Sequence, residues 1–342
     1  MWITLVVLAA IDGGAVDAGS ADGGVGWRLS QKLGKGQPQR EELISELTRK
    51  GGGVGETPLT RDEAEALLDD PRAELIYADK TISIVAPSMV KRHRQEHLDL
   101  MARFLQPERV EAGRAFMKEK DAVLAATEKK TGVDREVIIG ILMWESKLGT
   151  ITGDYVAFNA LASQAFFIDE ANAAALAREE EKALLGEVPA KGKKPSAEAL
   201  AKLAAAKAEA EKKQAARVES IRSRARKNLL ALVRQCKTRG IDALSVKGSW
   251  AGALGFPQFM PASLRWAEDG NADGKIDLFD MDDAIASVGR YLSSAGFARS
   301  AREAVYDYNH ESAYVEGVLA FADALKAKPD GGVSGAGVPA GK

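Results

Sequence analysis

Glu145 stands where an apolar residue is expected. Over residues 134–148, Ile138, Ile141, Leu142, Glu145 and Leu148 recur at steps of three and four, which puts them on one face of a helix. A carboxyl on such a face is desolvated, and desolvation disfavours its charged form and raises its pKa, as a general acid working near neutral pH requires. The helix alone leaves a second reading open, a glutamate at the stripe's edge that pairs with Lys147 or reaches solvent. Asp154, in a Gly153-Asp154-Tyr155 turn, is the least implausible second carboxylate, though Asp in a turn more often bonds nearby backbone.

A second constellation is written in oxygen ligands. Asp269, Asn271, Asp273, Asp277 and Asp280 occupy positions one, three, five, nine and twelve of a loop, with Gly274 at the turn position six and the Lys275 carbonyl at seven. This is the spacing of an EF-hand-like calcium loop, with Asp in place of the usual Glu at twelve, so weaker binding and magnesium stay open. An Asx-rich turn without metal is the alternative. Two other patterns read as decoys. His93 and His97 have the H-x-x-E-H spacing of inverted zincins, but Lys91, Arg92 and Arg94 surround them and His310 is the only other histidine. The glycine run 51–55 lacks the Gly-Lys-Ser/Thr of a phosphate loop and reads as a connector.

Three separated blocks, in order, carry a resemblance. GVDREVIIGILMWESKLGTITGDYVAFNALASQAFF at 132–167, GSWAGALGFPQFMPAS at 248–263, and Tyr308-Asn309 with Tyr314 resemble the motifs of the lytic murein transglycosylases of the membrane-bound B type. The likeness covers about residues 90–170 and 228–326. It implies a lysozyme-like, mainly α catalytic domain and a glycan lyase, an exotransglycosylase that cleaves peptidoglycan between N-acetylmuramic acid and N-acetylglucosamine. Glu145 matches the family's single acid/base. Ser249 and Gln258 match positions that hold substrate, and Tyr308, Asn309 and Tyr314 match positions lining the reacting sugar. A similar loop in that family strengthens the Ca2+ reading. The chain departs from the family in a longer segment at 171–227 and a shorter stretch between Phe297 and Tyr306.

The elements that must position these groups are mostly helices. Charge alternates with Leu, Ile and Ala at helical spacing over 37–50 and 60–68, and further helices are expected over 89–105, 109–131 and 134–148, the last capped by Asp134 and stopped by Gly149. Residues 79–86 are the one run with convincing strand chemistry. Residues 171–227 are runs of Ala, Glu, Lys and Arg broken by Gly186, Pro189, Gly192 and Pro195, a pattern that predicts an exposed charged helical hairpin available to a protein partner. The expected organisation is a leader over 1–26, a mostly helical N-terminal region over 27–88, the lysozyme-like domain over 89–170 and 228–328 interrupted by the 171–227 insertion, and a disordered tail over 329–342.

Charge and composition narrow the partners. With 47 Lys and Arg against 49 Asp and Glu, no basic excess supports nucleic acid as the main ligand, and the hairpin lacks aromatics for base stacking. Cys236 is the single cysteine, so no disulfide scaffold exists within the chain. The apolar run 2–10, followed by small residues and no Lys or Arg before Arg28, reads as an export signal to the periplasm or cell envelope; it is too short to span a bilayer. Two functions of other classes compete with the glycan lyase: a non-catalytic peptidoglycan-binding scaffold and a zinc peptidase built on His93 and His97. A lysozyme-type hydrolase is the competitor within the fold.

Overall fold

The computed structural model describes residues 27–50, 56–76, 99, 103–169 and 197–327. The expected strand at 79–86, the His93 and His97 pair, the leader and the tail lie outside them. The chain divides into two compact units, one holding His97–Ile151 and Trp266–Lys342 and the other Thr152–Arg265 with most of the N-terminal region.

The first unit is all helix: α4 (Pro107–Glu119), α5 (Asp121–Thr131), α6 (Arg135–Ser146), α9 (Met281–Ser294), α10 (Ala301–Tyr308) and α11 (Ser312–Lys326). Its centre is α6, buried on every side from Val137 to Ser146. A helix apolar all round belongs in a core, and α4, α5, α9 and α11 all pack on it. Glycines permit the closest of these contacts. A Cβ on Gly317 of α11 would stand 2.4 Å from the Trp144 ring, and one on Gly140 would stand 3.0 Å from the Val318 carbonyl. The single helix expected over 109–131 is two, because Lys120 leaves helical geometry between them while its ammonium donates to Asp282 at 2.8 Å.

The second unit is built on α7 (Ala157–Phe166) packed against α8 (Ala197–Arg239), with α1 (Leu29–Lys32), α2 (Pro38–Thr48) and α3 (Arg61–Asp69) beside them. Thr60 caps α3 in a reciprocal box with Glu63, as its Thr-x-x-Glu spacing allows. Two short antiparallel pairs complete the unit. The first joins β1 (Trp27–Arg28) to β2 (Glu74–Leu75), and the second joins β3 (Tyr155–Val156) to β4 (Lys247–Gly248). Arg234 on α8 is buried and donates to the Glu46 carbonyl at 2.6 Å and the Arg49 carbonyl at 3.1 Å, tying α8 to the end of α2.

The helix α8 runs 43 residues and passes through position 227 without a break. Its packing begins before the expected boundary at 228. Val218 and Ile221 form a buried cluster with Ile168, against which Trp250 packs, and Arg222 pairs with Asp169. No Gly or Pro separates Ser196 from Gly240, so nothing in the backbone stops the helix where the charge pattern changes. Among the described residues no helix is long and apolar enough to cross a membrane.

Candidate active site

Glu145 sits in the last turn of α6, which ends at Ser146, two residues earlier than expected. Lys147, Leu148 and Gly149 all adopt positive φ (48°, 54° and 86°), a run that turns the chain sharply away. Ser146 stabilises the exit: its hydroxyl donates to the Leu142 carbonyl at 3.2 Å and accepts from the Gly149 N–H at 3.0 Å. The Glu145 side chain lies in the core with only 8% exposure. Burial pushes its pKa up from 4.5 to about 8, and the Tyr314 hydroxyl opposes the shift. Among the described residues no cation and no second carboxylate contributes to the shift. The edge-of-stripe reading therefore gives way to a buried acid that is protonated at neutral pH.

Two of the residues singled out by sequence, Tyr314 and Tyr308, lie close enough to this carboxyl to feel its charge. Tyr314, near the start of α11, presents its ring to Trp144 edge-on at 5.2 Å and lies parallel to Tyr308 at 6.4 Å. Burial and the neighbouring Glu145 charge hold both phenols well above their ordinary pKa. Asn309 is buried at the C-terminal cap of α10, its N–H bonded to the Val305 carbonyl at 3.1 Å. Tyr291 was not legible from spacing. Its ring contacts both Trp266 and Tyr308, and its hydroxyl donates to the Asp307 carbonyl at 2.9 Å, fixing the turn that carries Tyr308 and Asn309.

Ser249 and Gln258 belong to the other unit. Ser249 follows β4, is 4% exposed, and closes a tight loop with Ala253: its N–H donates to the Ala253 carbonyl at 2.9 Å, and its Oγ accepts from the Ala253 N–H at 3.0 Å. Gly252 at φ 83° is required here, since a Cβ would stand 2.5 Å from Leu161. Gln258 lies at φ 51°, uncommon for a residue with a side chain, and its Nε2 donates to the Gly255 carbonyl at 2.7 Å within the Leu254 to Phe259 bridge. Phe259 and Met260 are core residues. Gln164, which the spacing did not single out, is buried on α7 and donates to the Trp250 carbonyl at 3.1 Å. Asp154 is exposed.

The acidic loop is held by its own side chains. Asp269 accepts from the Asp273 and Gly274 N–H groups, Asn271 from Asp273, and Asp273 from Lys275, while Gly274 takes φ 83° as position six demands. Asp280 is occupied differently from what its spacing suggests: its Oδ1 caps α9, accepting from Asp282 and Asp283. Asp283, 1% exposed and missed in the sequence, accepts from Gly270 and Asp277 and so clasps both ends of the loop. The donor set of carboxylates, an amide oxygen and a carbonyl has the hard-oxygen chemistry of a calcium or magnesium site. Among the described residues, however, no three acidic or imidazole groups are drawn together closely enough to hold an ion.

A buried acid ending the core helix of an all-helical unit, faced by two tyrosines, is the arrangement of a lysozyme-like transglycosylase. The chain belongs to the family of the transglycosylase SLT domain, whose model matches residues 58–306. It is 27% identical over 204 residues to the membrane-bound lytic murein transglycosylase B of Escherichia coli, a match that covers 59% of this chain and 43% of that relative. The chain thus spans less than half the length of this relative. Among solved structures, its fold is similar to that of the lytic transglycosylase Slt35 of Escherichia coli in complex with bulgecin A, at TM-score 0.56 and 19% identity over 85% of this chain and 93% of that one. Slt35 in complex with calcium aligns equally well, at TM-score 0.56 and 19% identity over the same shares. The soluble lytic transglycosylase SltB1 of Pseudomonas aeruginosa aligns at TM-score 0.54 and 20% identity over 84% and 98%.

Proposed function

We propose that the chain is a peptidoglycan lytic transglycosylase that cleaves the β-1,4 bond between N-acetylmuramic acid and N-acetylglucosamine and leaves a 1,6-anhydro-muramic acid end. The observation that carries this reading is Glu145, buried in the core at the end of α6, where burial raises its pKa as a general acid requires and where no second carboxylate among the described residues contributes to that shift. Glu145 donates its proton to the glycosidic oxygen as the C1–O bond breaks, and the bond's electrons leave with the N-acetylglucosamine oxygen. The muramic acid C6 hydroxyl then closes on the oxocarbenium-like C1 and returns its proton to the Glu145 carboxylate. One group suffices because the acid of the first step is the base of the second and no water enters. A hydrolase of either stereochemistry would normally need a second carboxylate, roughly 5 to 9.5 Å from the first.

In this reading Ser249 and Gln258 hold substrate, and Tyr308, Asn309 and Tyr314 line the reacting sugar. Asp269, Asn271, Asp273, Asp277 and Asp280, with the Lys275 carbonyl, would hold Ca2+, which shapes the loop and takes no part in the chemistry; the calcium complex of Slt35 supports this assignment. The apolar leader and the membrane-bound relative support a place in the cell envelope. The partners are glycan strands, and of the charged segment 171–227 the part before Val218 would meet another protein.

Mass spectrometry of purified sacculi digested by the full chain, with and without chelator, tests the proposal. The expected muropeptides are lighter by one water than lysozyme products and lack a reducing end, and Glu145→Gln releases none. Reducing-end sugars from the earliest time points would make the enzyme a hydrolase. Lysis by well-folded Glu145→Gln would remove Glu145 from the mechanism.

A further inference from the structure

Once the chain is read as a lytic transglycosylase, the loop 249–253 is where the second unit holds glycan, through Ser249. Its internal bonds close it on itself: the Gly252 N–H donates to the Ser249 carbonyl at 2.8 Å, and Ser249 exchanges bonds with Ala253 at 2.9 and 3.0 Å. Those bonds set the loop's shape but not its place, which α7 supplies. Leu161 lies against Gly252, where a Cβ would stand 2.5 Å from it. Gln164, one turn further along the same face, donates from Nε2 to the Trp250 carbonyl at 3.1 Å, while the Trp250 side chain packs on Ile168, Val218 and Ile221.

An amide is a costly choice at this position. The helix α7 is buried from Ala157 to Ala165, and Gln164 is 1% exposed, so its side chain gives up hydration that an apolar residue of the same size would never have needed. One of its bonds, to the Ala160 carbonyl at 3.3 Å, stays within α7. The other buried polar side chains of the helix serve the N-terminal segment: Asn159 accepts from the Glu74 N–H and donates to the Arg72 carbonyl, and Ser163 accepts from the Ile76 N–H. Gln164 is the one turned to the loop.

We infer that Gln164 is a positioning residue that fixes the Trp250–Ala251 peptide and, through it, the direction in which Ser249 meets the glycan. The inference rests on the lytic transglycosylase reading and adds a residue to its substrate-holding wall. A loop anchored in its bound shape leaves no ordering for the sugar to drive, whereas without the anchor that cost is subtracted from binding. The Glu145 pKa is shifted by burial and by Tyr314 and by no group of α7, so the effect falls on holding the glycan and not on proton transfer.

The test is Gln164→Met, which keeps the volume and removes the donor, assayed for anhydro-muropeptide release from purified glycan strands beside the parent. Loss of the buried bond should raise KM by about 5- to 30-fold and leave kcat within about twofold. Combined with Ser249→Ala, it should raise KM no further than the larger single change, because both act through one loop. An unchanged KM, a lower kcat at unchanged KM, or additive effects of the two substitutions would each overturn the inference. Gln164→Glu gives a second reading, since its carboxyl donates only while protonated: relative to the parent at each pH, KM should be near normal at pH 5 and raised at pH 8. A ratio independent of pH would count against the inference. A parent that releases no anhydro product would overturn the functional reading instead.

Discussion

Replacing Glu145 by Gln should make the protein more stable at neutral pH while ending its activity. In the unfolded chain the carboxyl ionises near 4.5, whereas in the folded chain burial holds it near 8. A carboxyl with a raised folded pKa penalises folding where only the unfolded state has released the proton: the penalty is absent below pH 4.5, grows between 4.5 and 8, and is constant above 8. At about 1.4 kcal/mol per pKa unit, it changes by about 3 kcal/mol between pH 5 and pH 8. Glutamine does not titrate, so its curve lacks this component, and any cost of seating the amide is the same at every pH. Urea unfolding of both proteins from pH 5 to pH 8 measures the difference directly. Parallel curves would mean that the folded chain holds Glu145 ionised and solvated, and the reasoning from a single buried acid would fail with them.

Gly317→Ala should cost about 1–3 kcal/mol in the same unfolding assay, since its Cβ would meet the Trp144 ring at 2.4 Å and force overpacking; unchanged stability would refute the close approach of α11 to α6. Calcium should raise the melting temperature by mass action on the native state, and Asp273→Ala should cancel the rise. A flat calorimetric titration would make residues 269–280 an ordinary turn. His93→Ala combined with His97→Ala should leave sacculus digestion unchanged, and loss of activity together with loss of bound zinc would restore the peptidase reading.

What the sequence made legible was whatever local spacing encodes. Glu145 stood out because a charge broke a run of three- and four-residue steps, and the acidic loop because its ligand positions are a fixed count apart. The groups the sequence concealed owe their roles to partners far along the chain. Asp283 earns its place through Gly270 and Asp277, Gln164 through Trp250, and Tyr291 through Asp307 and Trp266. The early end of α6 was hidden for another reason. Gly149 marks a stop, but that Lys147 and Leu148 also turn left-handed depends on Ser146 bonding both Leu142 and Gly149. For α8, the change in charge pattern suggested a boundary at 228, yet a helix responds to backbone interruptions and not to the sign of its side chains.

The pairing of Asp169 with Arg222, beside the cluster of Ile168, Val218 and Ile221, brings two points far apart in sequence together on one side of the second unit. Replacing residues 170–216 by another length of chain should therefore leave α7 packed against the later part of α8, because closure entropy changes by only about 0.6 kcal/mol for each doubling of a loop. For an engineer this is a splice site: a short turn joining 169 to 217 should yield a shortened chain that keeps this cluster, and a foreign domain with adjacent termini could be grafted at the same two positions.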